Sequence, residues 1–280
     1  MRKIFFIALS VVGFVAAAQA QKVVSISKAD NHAIEYTVTE LRHSELKELI
    51  STLPATVTVT DEESDIITIA APTSVFPYLK FDFRDDSLAI ACDNDAPKKV
   101  MATLNQKCHI EVTIPSESLR SITNTSDMNL FFKSGKCADK LQMVNTLTMS
   151  IIATDITAES NMEIYNTGTM TMKVDNLNTE QLFTLNTGYL YMRGATTATA
   201  ILQNSSGIEN SLLNVDCQKL EIVSTGEGII EFHGIADAVT VANMGKADYP
   251  KSIPDDMHLA WYIKEVIDDP DNEGGNVFRK

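Results

Sequence analysis

The chain has 280 residues, 44% hydrophobic and 21% charged, with 37 acidic against 23 basic side chains and a net charge of −14. That balance argues against nucleic acid and anionic membranes as partners, because both need a basic face. With only 12 Gly and 8 Pro the chain is neither collagen-like nor low-complexity, and its apolar content is ample for a core.

Residues 1–20 read as a secretory signal. Arg2 and Lys3 precede an apolar run from Ile4 to Ala18, which closes on the small-x-small pattern Ala18-Gln19-Ala20. The run is short for a membrane span. The mature chain would start at Gln21, with no adjacent Cys to carry a lipid. No later stretch is apolar for long enough to cross a bilayer, so no membrane insertion of the mature chain is expected.

Residues 21–116 are predicted to form an N-terminal β-rich cap with one short helix. In "SELKELISTLP", Leu46, Leu49, Ile50 and Leu53 fall at helical spacing, with Ser44 as N-cap and Pro54 as stop. The runs "ATVTVT", "DIITIAA", "LKFDFRDDSLAIAC" and "CHIEVTIP" alternate as strands and read as hairpins or first irregular coils. Cys92 ends one run and Cys108 opens the next. A hairpin there would bring the two together as a disulfide in an oxidising compartment.

Residues 117–248 carry a repeat. Asn-Thr-Gly occurs at Asn166–Gly168 and again at Asn186–Gly188. Sliding in both directions extends the series to Asn124, Asn145, Asn166, Asn186, Ser205, Ser224 and Asn243, with steps of 21, 21, 20, 19, 19 and 19. A period near twenty belongs to solenoids. Within each unit apolar residues alternate, as at Met162 and Ile164 before Asn166 and at Met170 and Met172 after Gly168, which means strands. The expected fold is all-β: a single-stranded parallel β-helix, a solenoid of about 20 residues per coil, behind the N-terminal cap. Stacked Asn side chains would then hydrogen-bond as a ladder about 4.8 Å apart. Asn tolerates, and Gly favours, the positive φ of a tight turn at that corner.

Residues 249–280 are predicted as a C-terminal cap and tail. "HLAWYIKEVI" would seal the far end as a short helix or strand, with Trp261 covering the core. "DDPDNEGG" reads as loose tail.

The strand pair "ATVTVTDEESDIITIAA", then "FRDDSLAIAC", then "HIEVTIPSESLRSI" leading into Asn/Gly-rich β coils resembles the putative auto-transporter adhesin, head GIN domain family. The likeness spans about residues 55 to 245. The nearest match to the family's Gly-Ile-Asn motif is Gly207-Ile208-Glu209-Asn210, with Glu209 inserted. The resemblance implies an exported bacterial β-helix protein with a role in adhesion, and it brings no catalytic residues.

Reactive chemistry is sparse. Cys137 and Cys217 lie at similar offsets but four coils apart, roughly 19 Å, too far for a disulfide. The five His residues (32, 43, 109, 233 and 258) have no zinc spacing. Asp155, Asp175 and Asp216 follow their corners by about eight residues and could line one edge for calcium, but Asp is also an ordinary turn former. No nucleophile elbow, P-loop or dinucleotide fingerprint occurs. The Met run of the coils reads as core filling. No catalytic residue, metal or cofactor is expected. The expected protein is a binding or adhesion module in the periplasm, at the cell surface or outside a bacterium, recognising an unknown glycan or surface protein along a β-helix face. A carbohydrate-active enzyme, of polysaccharide lyase or glycoside hydrolase type, and a structural envelope protein are the alternatives. A cleft with carboxylate and basic groups would favour the enzyme; a flat face of Thr, Ser and Asn would favour binding.

Overall fold

A computed structural model describes residues 21–27, 33–42, 45–61, 65–106, 109–133, 135–204, 211–224, 227–233, 236–243, 246–248, 265–268 and 276–279. The signal sequence, Cys108, Ser205 and Trp261 lie outside them.

In chain order the elements are β1 (Gln21–Ser27), β2 (Ala33–Arg42), β3 (Glu48–Ser51), β4 (Ala55–Thr60), β5 (Ile66–Pro72), β6 (Leu79–Arg84) and β7 (Ser87–Cys92). Helix α1 (Lys98–Gln106) follows, then β8 (Ile110–Pro115), β9 (Ser121–Asn124), β10 (Asp127–Phe132), β11 (Lys140–Asn145), β12 (Thr148–Thr157), β13 (Asn161–Asn166) and β14 (Thr169–Asn186). The last are β15 (Tyr189–Asn204), β16 (Ser211–Ser224), β17 (Glu227–His233), β18 (Ala236–Asn243), β19 (Lys246–Asp248), β20 (Glu265–Asp268) and β21 (Asn276–Arg279). Among the described residues the structure is all-β apart from α1 and one short 3₁₀ turn, and pairing joins the strands into a large mixed sheet, rich in parallel strands and not closed into a barrel.

Two parallel ladders dominate. One runs β7, β3, β9, β11, β13, the C-terminal half of β14, β15, β16 and β18. The other runs β8, β4, β10, β12, the N-terminal half of β14, β15, β16 and β17. Antiparallel strands end them: β6 on β7, β5 on β8 and β21 on β18. The stack does not follow chain order at its start. The β3–β4 unit lies between the β7/β8 level and the β9/β10 level.

The segment expected to be helical, around Leu46 to Leu53, is β3 with its flanks. Leu49 faces inward between Leu88 and Ile122, its register partners. Ile50, inward on a helix, is only half-buried. Column packing here outweighs a four-residue spacing coincidence. The helix is α1 instead, which buries Val100 and Leu104.

Alternation builds the core. Met128, Met149, Met170 and Leu190 form one inward row, and Val57, Leu130, Ile151, Met172 and Met192 another. On the first ladder Leu141, Met162, Leu182, Ala200 and Leu220 align, all buried. Unbranched Met fills such rows without demanding a fixed shape from its neighbours.

The hairpin expected to join Cys92 and Cys108 falls partly outside the described residues, since Cys108 is not among them. Strands β7 and β8 belong to different ladders and α1 separates them. Cys92 is a free, half-buried thiol.

Candidate functional site

The corner column comes first because it fixes the geometry of everything outside it. Asn124, Asn145, Asn166 and Asn186 are register partners in sequence, and each is at most 2% exposed. Asn124 Nδ2 donates to Asn145 Oδ1 at 2.9 Å, Asn145 to Asn166 at 2.8 Å, and Asn166 to Asn186 at 2.7 Å. Each Nδ2 also donates to the carbonyl two residues on, Ser126, Leu147, Gly168 or Gly188. In the first three a carbonyl of the next level also lies within 3.0 Å of Nδ2, so the two N–H groups are shared among three acceptors.

Three features of the predicted column need correction. The partner of Asn186, and of Ser224 beyond it, is Asn204 rather than Ser205. Inward-facing Ala200 sets this register; a slip by one would turn its whole row to solvent. Ser224 and Asn243 continue the register. The Asn residues are not left-handed, since Asp85 is the one described non-glycine residue with positive φ. Gly168 and Gly188 are needed for close approach instead of positive φ. A Cβ at Gly168 would stand 2.0 Å from the Leu147 carbonyl oxygen, and one at Gly188 would stand 2.1 Å from that of Gly168.

Outside the core are two walls. On the β9–β11–β13–β14 wall, Glu163 accepts hydrogen bonds from Gln142, Asn161 and Tyr165 at 2.8–3.1 Å. Tyr165 and Phe183 lie with ring centroids 5.9 Å apart. Burial, and then the bond to Glu163, raises the Tyr165 phenol above its ordinary pKa.

The β4–β10–β12–β14 wall carries hydroxyls and amides in register: Thr56 with Asn129, Ser150 and Thr171, and Asp127 with Thr148 and Thr169. His109 Nδ1 lies 3.5 Å from Thr56 Oγ1 and 3.4 Å from Asn129 Nδ2. At the far side of this wall is an open groove of about 500 Å³. Phe131, Ile152 and Lys173 form one side, as register partners. Lys133, just past the end of β10, and Thr154 and Asp175, each two residues further along the chain than its row partner, form the other. Phe131 is 36% exposed and Ile152 49%, high for such side chains.

A register break marks the groove's edge. Lys173 pairs with Arg193, but Leu177 pairs with Ala195, so β14 holds two more residues than β15 between these points. The bulge contains Asp175 and accounts for the short step from Asn186 to Asn204. Bulges re-aim side chains.

The carboxylates considered for calcium do not gather. Asp155 accepts a hydrogen bond from its register partner Asn176 at 2.8 Å, Asp175 is in the groove, and Asp216 pairs with Thr196 in a third column. Among the described residues no three Cys, His, Asp or Glu side chains are grouped as metal ligands. Cys137 is buried, and burial pushes its thiol up to about 12. Its column holds Ala158, Thr179 and Thr197 before Cys217, so the two cysteines are four levels apart. Among the described residues no helix is long and apolar enough to cross a membrane.

The class these features define is an all-β protein whose polar groups are displayed on stacked-strand walls and an open groove. The family model for the putative auto-transporter adhesin, head GIN domain matches residues 45–251. The chain belongs to that family. Its fold is similar to a crystal structure of a putative adhesin from Parabacteroides merdae, at 15% identity and TM-score 0.51, covering 76% of this chain and 95% of that one. A putative adhesin from Bacteroides fragilis matches at 13% identity and TM-score 0.45, covering 80% and 92%. A putative lipid binding protein from Parabacteroides distasonis matches at 12% and 0.46, covering 77% and 97%. No curated protein matches the chain.

Proposed function

We propose that the chain is an exported bacterial adhesion module, released after Ala20 and wound as a single-stranded parallel β-helix. Its outward walls recognise a glycan or surface protein in the periplasm, at the cell surface or outside the cell. Membership of an adhesin-named family supports the role, and corner steps of 18 to 21 residues in both ladders support the winding. The observation that carries the reading is the flat wall of Thr56, Asn129, Thr148, Ser150, Thr169 and Thr171, a row of short hydrogen-bonding groups on a rigid sheet. Such a surface offers many weak polar contacts along its length.

The test is a screen of the purified secreted chain against glycans, mucins and matrix proteins, with soluble products assayed in the same wells. Saturable binding of intact ligand is the expected result. Silence across the panel refutes it and leaves a structural envelope role. One observation favours a second reading: Asp175 shares its groove with Lys133 and Lys173, the carboxylate-plus-base set of a carbohydrate-active enzyme. Release of cleaved sugars would establish that reading instead.

A further inference from the structure

We propose that the groove between Phe131 and Asp175 binds a uronic-acid segment of an acidic polysaccharide. The proposal rests on the adhesion reading and names its ligand class and site. Six outward residues form a two-by-three array: Phe131 on β10 with Lys133 just past its end, Ile152 and Thr154 on β12, Lys173 and Asp175 on β14. The two ammonium groups stand at opposite corners of this array. With strands about 4.8 Å apart and residues about 3.3 Å along them, their Cα atoms are roughly 12 Å apart, within reach of side chains that lean over one groove.

Charge selects the ligand's sign. In a chain of net charge −14, Lys133 and Lys173 are in no ion pair among the described residues. Lys47, Lys80, Arg84, Lys136 and Lys219, by contrast, each face a carboxylate. Two unpaired ammonium groups on an acidic protein are matched by a ligand with spaced carboxylates.

The other groups select a sugar over a bare anion or a lipid. A sugar ring has an apolar C–H face and a rim of hydroxyls. Exposed Phe131 and Ile152 present apolar surface to the first. Thr154 and Asp175 offer acceptors to the second. A phosphate alone would gain nothing from Phe131. An acyl chain needs an enclosed apolar cavity, and this groove is open along the wall. An open groove also lets a polymer enter and leave at both ends.

The test measures equilibrium binding of the purified secreted chain to oligomers of galacturonate and glucuronate. Controls are the same oligomers with methyl-esterified carboxyls and vesicles containing phosphatidylglycerol. The variants are Lys133→Gln/Lys173→Gln, Phe131→Ser and, on the opposite wall, Tyr165→Ala. The acidic oligomers should bind about tenfold more tightly than their esters, and the double lysine variant should lose about tenfold, as expected for two exposed charge contacts. Binding should weaken with added salt. Phe131→Ser should weaken binding at any salt, while Tyr165→Ala leaves it unchanged. Equal affinity for ester and acid, indifference to the lysine substitutions, or binding to the vesicles alone would overturn the proposal. A ligand from the wider panel that binds regardless of Lys133 and Lys173 would also overturn it, yet leave the adhesion reading standing. Absence of binding to every ligand would end both.

Discussion

Replacing Asn145 tests whether the corner column stabilises the fold. Asn145 is fully buried and its two amide N–H groups are shared among Asn166 Oδ1 at 2.8 Å, the Thr169 carbonyl at 3.0 Å and the Leu147 carbonyl at 3.3 Å, while its Oδ1 accepts from Asn124 at 2.9 Å. In Asn145→Ala the Leu147 carbonyl keeps the Thr169 N–H at 2.7 Å, and Asn124 keeps its two carbonyl acceptors. Asn166 Oδ1 loses the donor Asn145 supplies, at a cost of about 1–3 kcal/mol for a stranded buried acceptor, and each other lost bond costs about 1 kcal/mol net. The expected loss is about 3 kcal/mol. Asn145→Asp keeps the shape but points a carboxylate oxygen at three oxygen acceptors, so it should cost more than the alanine. Exposed Thr146→Ala, one residue away, should change stability by less than about 0.5 kcal/mol. Urea unfolding followed by far-UV circular dichroism reads all three as midpoint shifts at constant slope. If Asn145→Ala falls within about 0.5 kcal/mol of wild type, or Asn145→Asp is the more stable of the two, the ladder contributes no net stability and the argument fails.

Gly168→Ala should destabilise by about 3 kcal/mol or more, because its Cβ would overlap the Leu147 carbonyl and two levels of backbone must separate; a thermal melt unchanged from wild type would refute the close approach. Cys137 should resist a thiol reagent at pH 8 until the chain unfolds, while half-buried Cys92 labels in the native state; mass spectrometry of the labelled peptides decides. The raised Cys137 pKa also gives a pH dependence. The folded state holds the proton that the unfolded chain releases near its ordinary 9.0, so this stabilisation is complete below pH 9 and lost as pH rises towards about 12. Cys137→Ala should flatten that alkaline decline in unfolding midpoint. N-terminal sequencing of exported protein should begin at Gln21; an uncleaved chain would refute the signal reading.

What was legible in the sequence is what repeats in kind. Identical Asn side chains recur because each must satisfy the next, so their period can be read by eye, and Met and Ile alternation around them gives strands. The single-residue slip at Ser205 arose because a Ser-x-Gly triplet imitates Asn-x-Gly, whereas the register answers to the buried row through Ala200. Strand β3 was hidden by a helical spacing among Leu46, Leu49 and Leu53, all of them buried here by stacking on other levels. Strands β7 and β8 take partners other than each other for a related reason: in a stacked sheet, sequence neighbours join different ladders. The groove was the least legible part. Phe131, Ile152 and Lys173 differ in kind at one repeat position, so no pattern search links them, and Lys133 lies forty residues from Lys173. Once the register is known they form a single surface. Core positions must be alike to pack level on level, whereas outward positions are free to vary, and that freedom is what allows one stretch of wall to become a site.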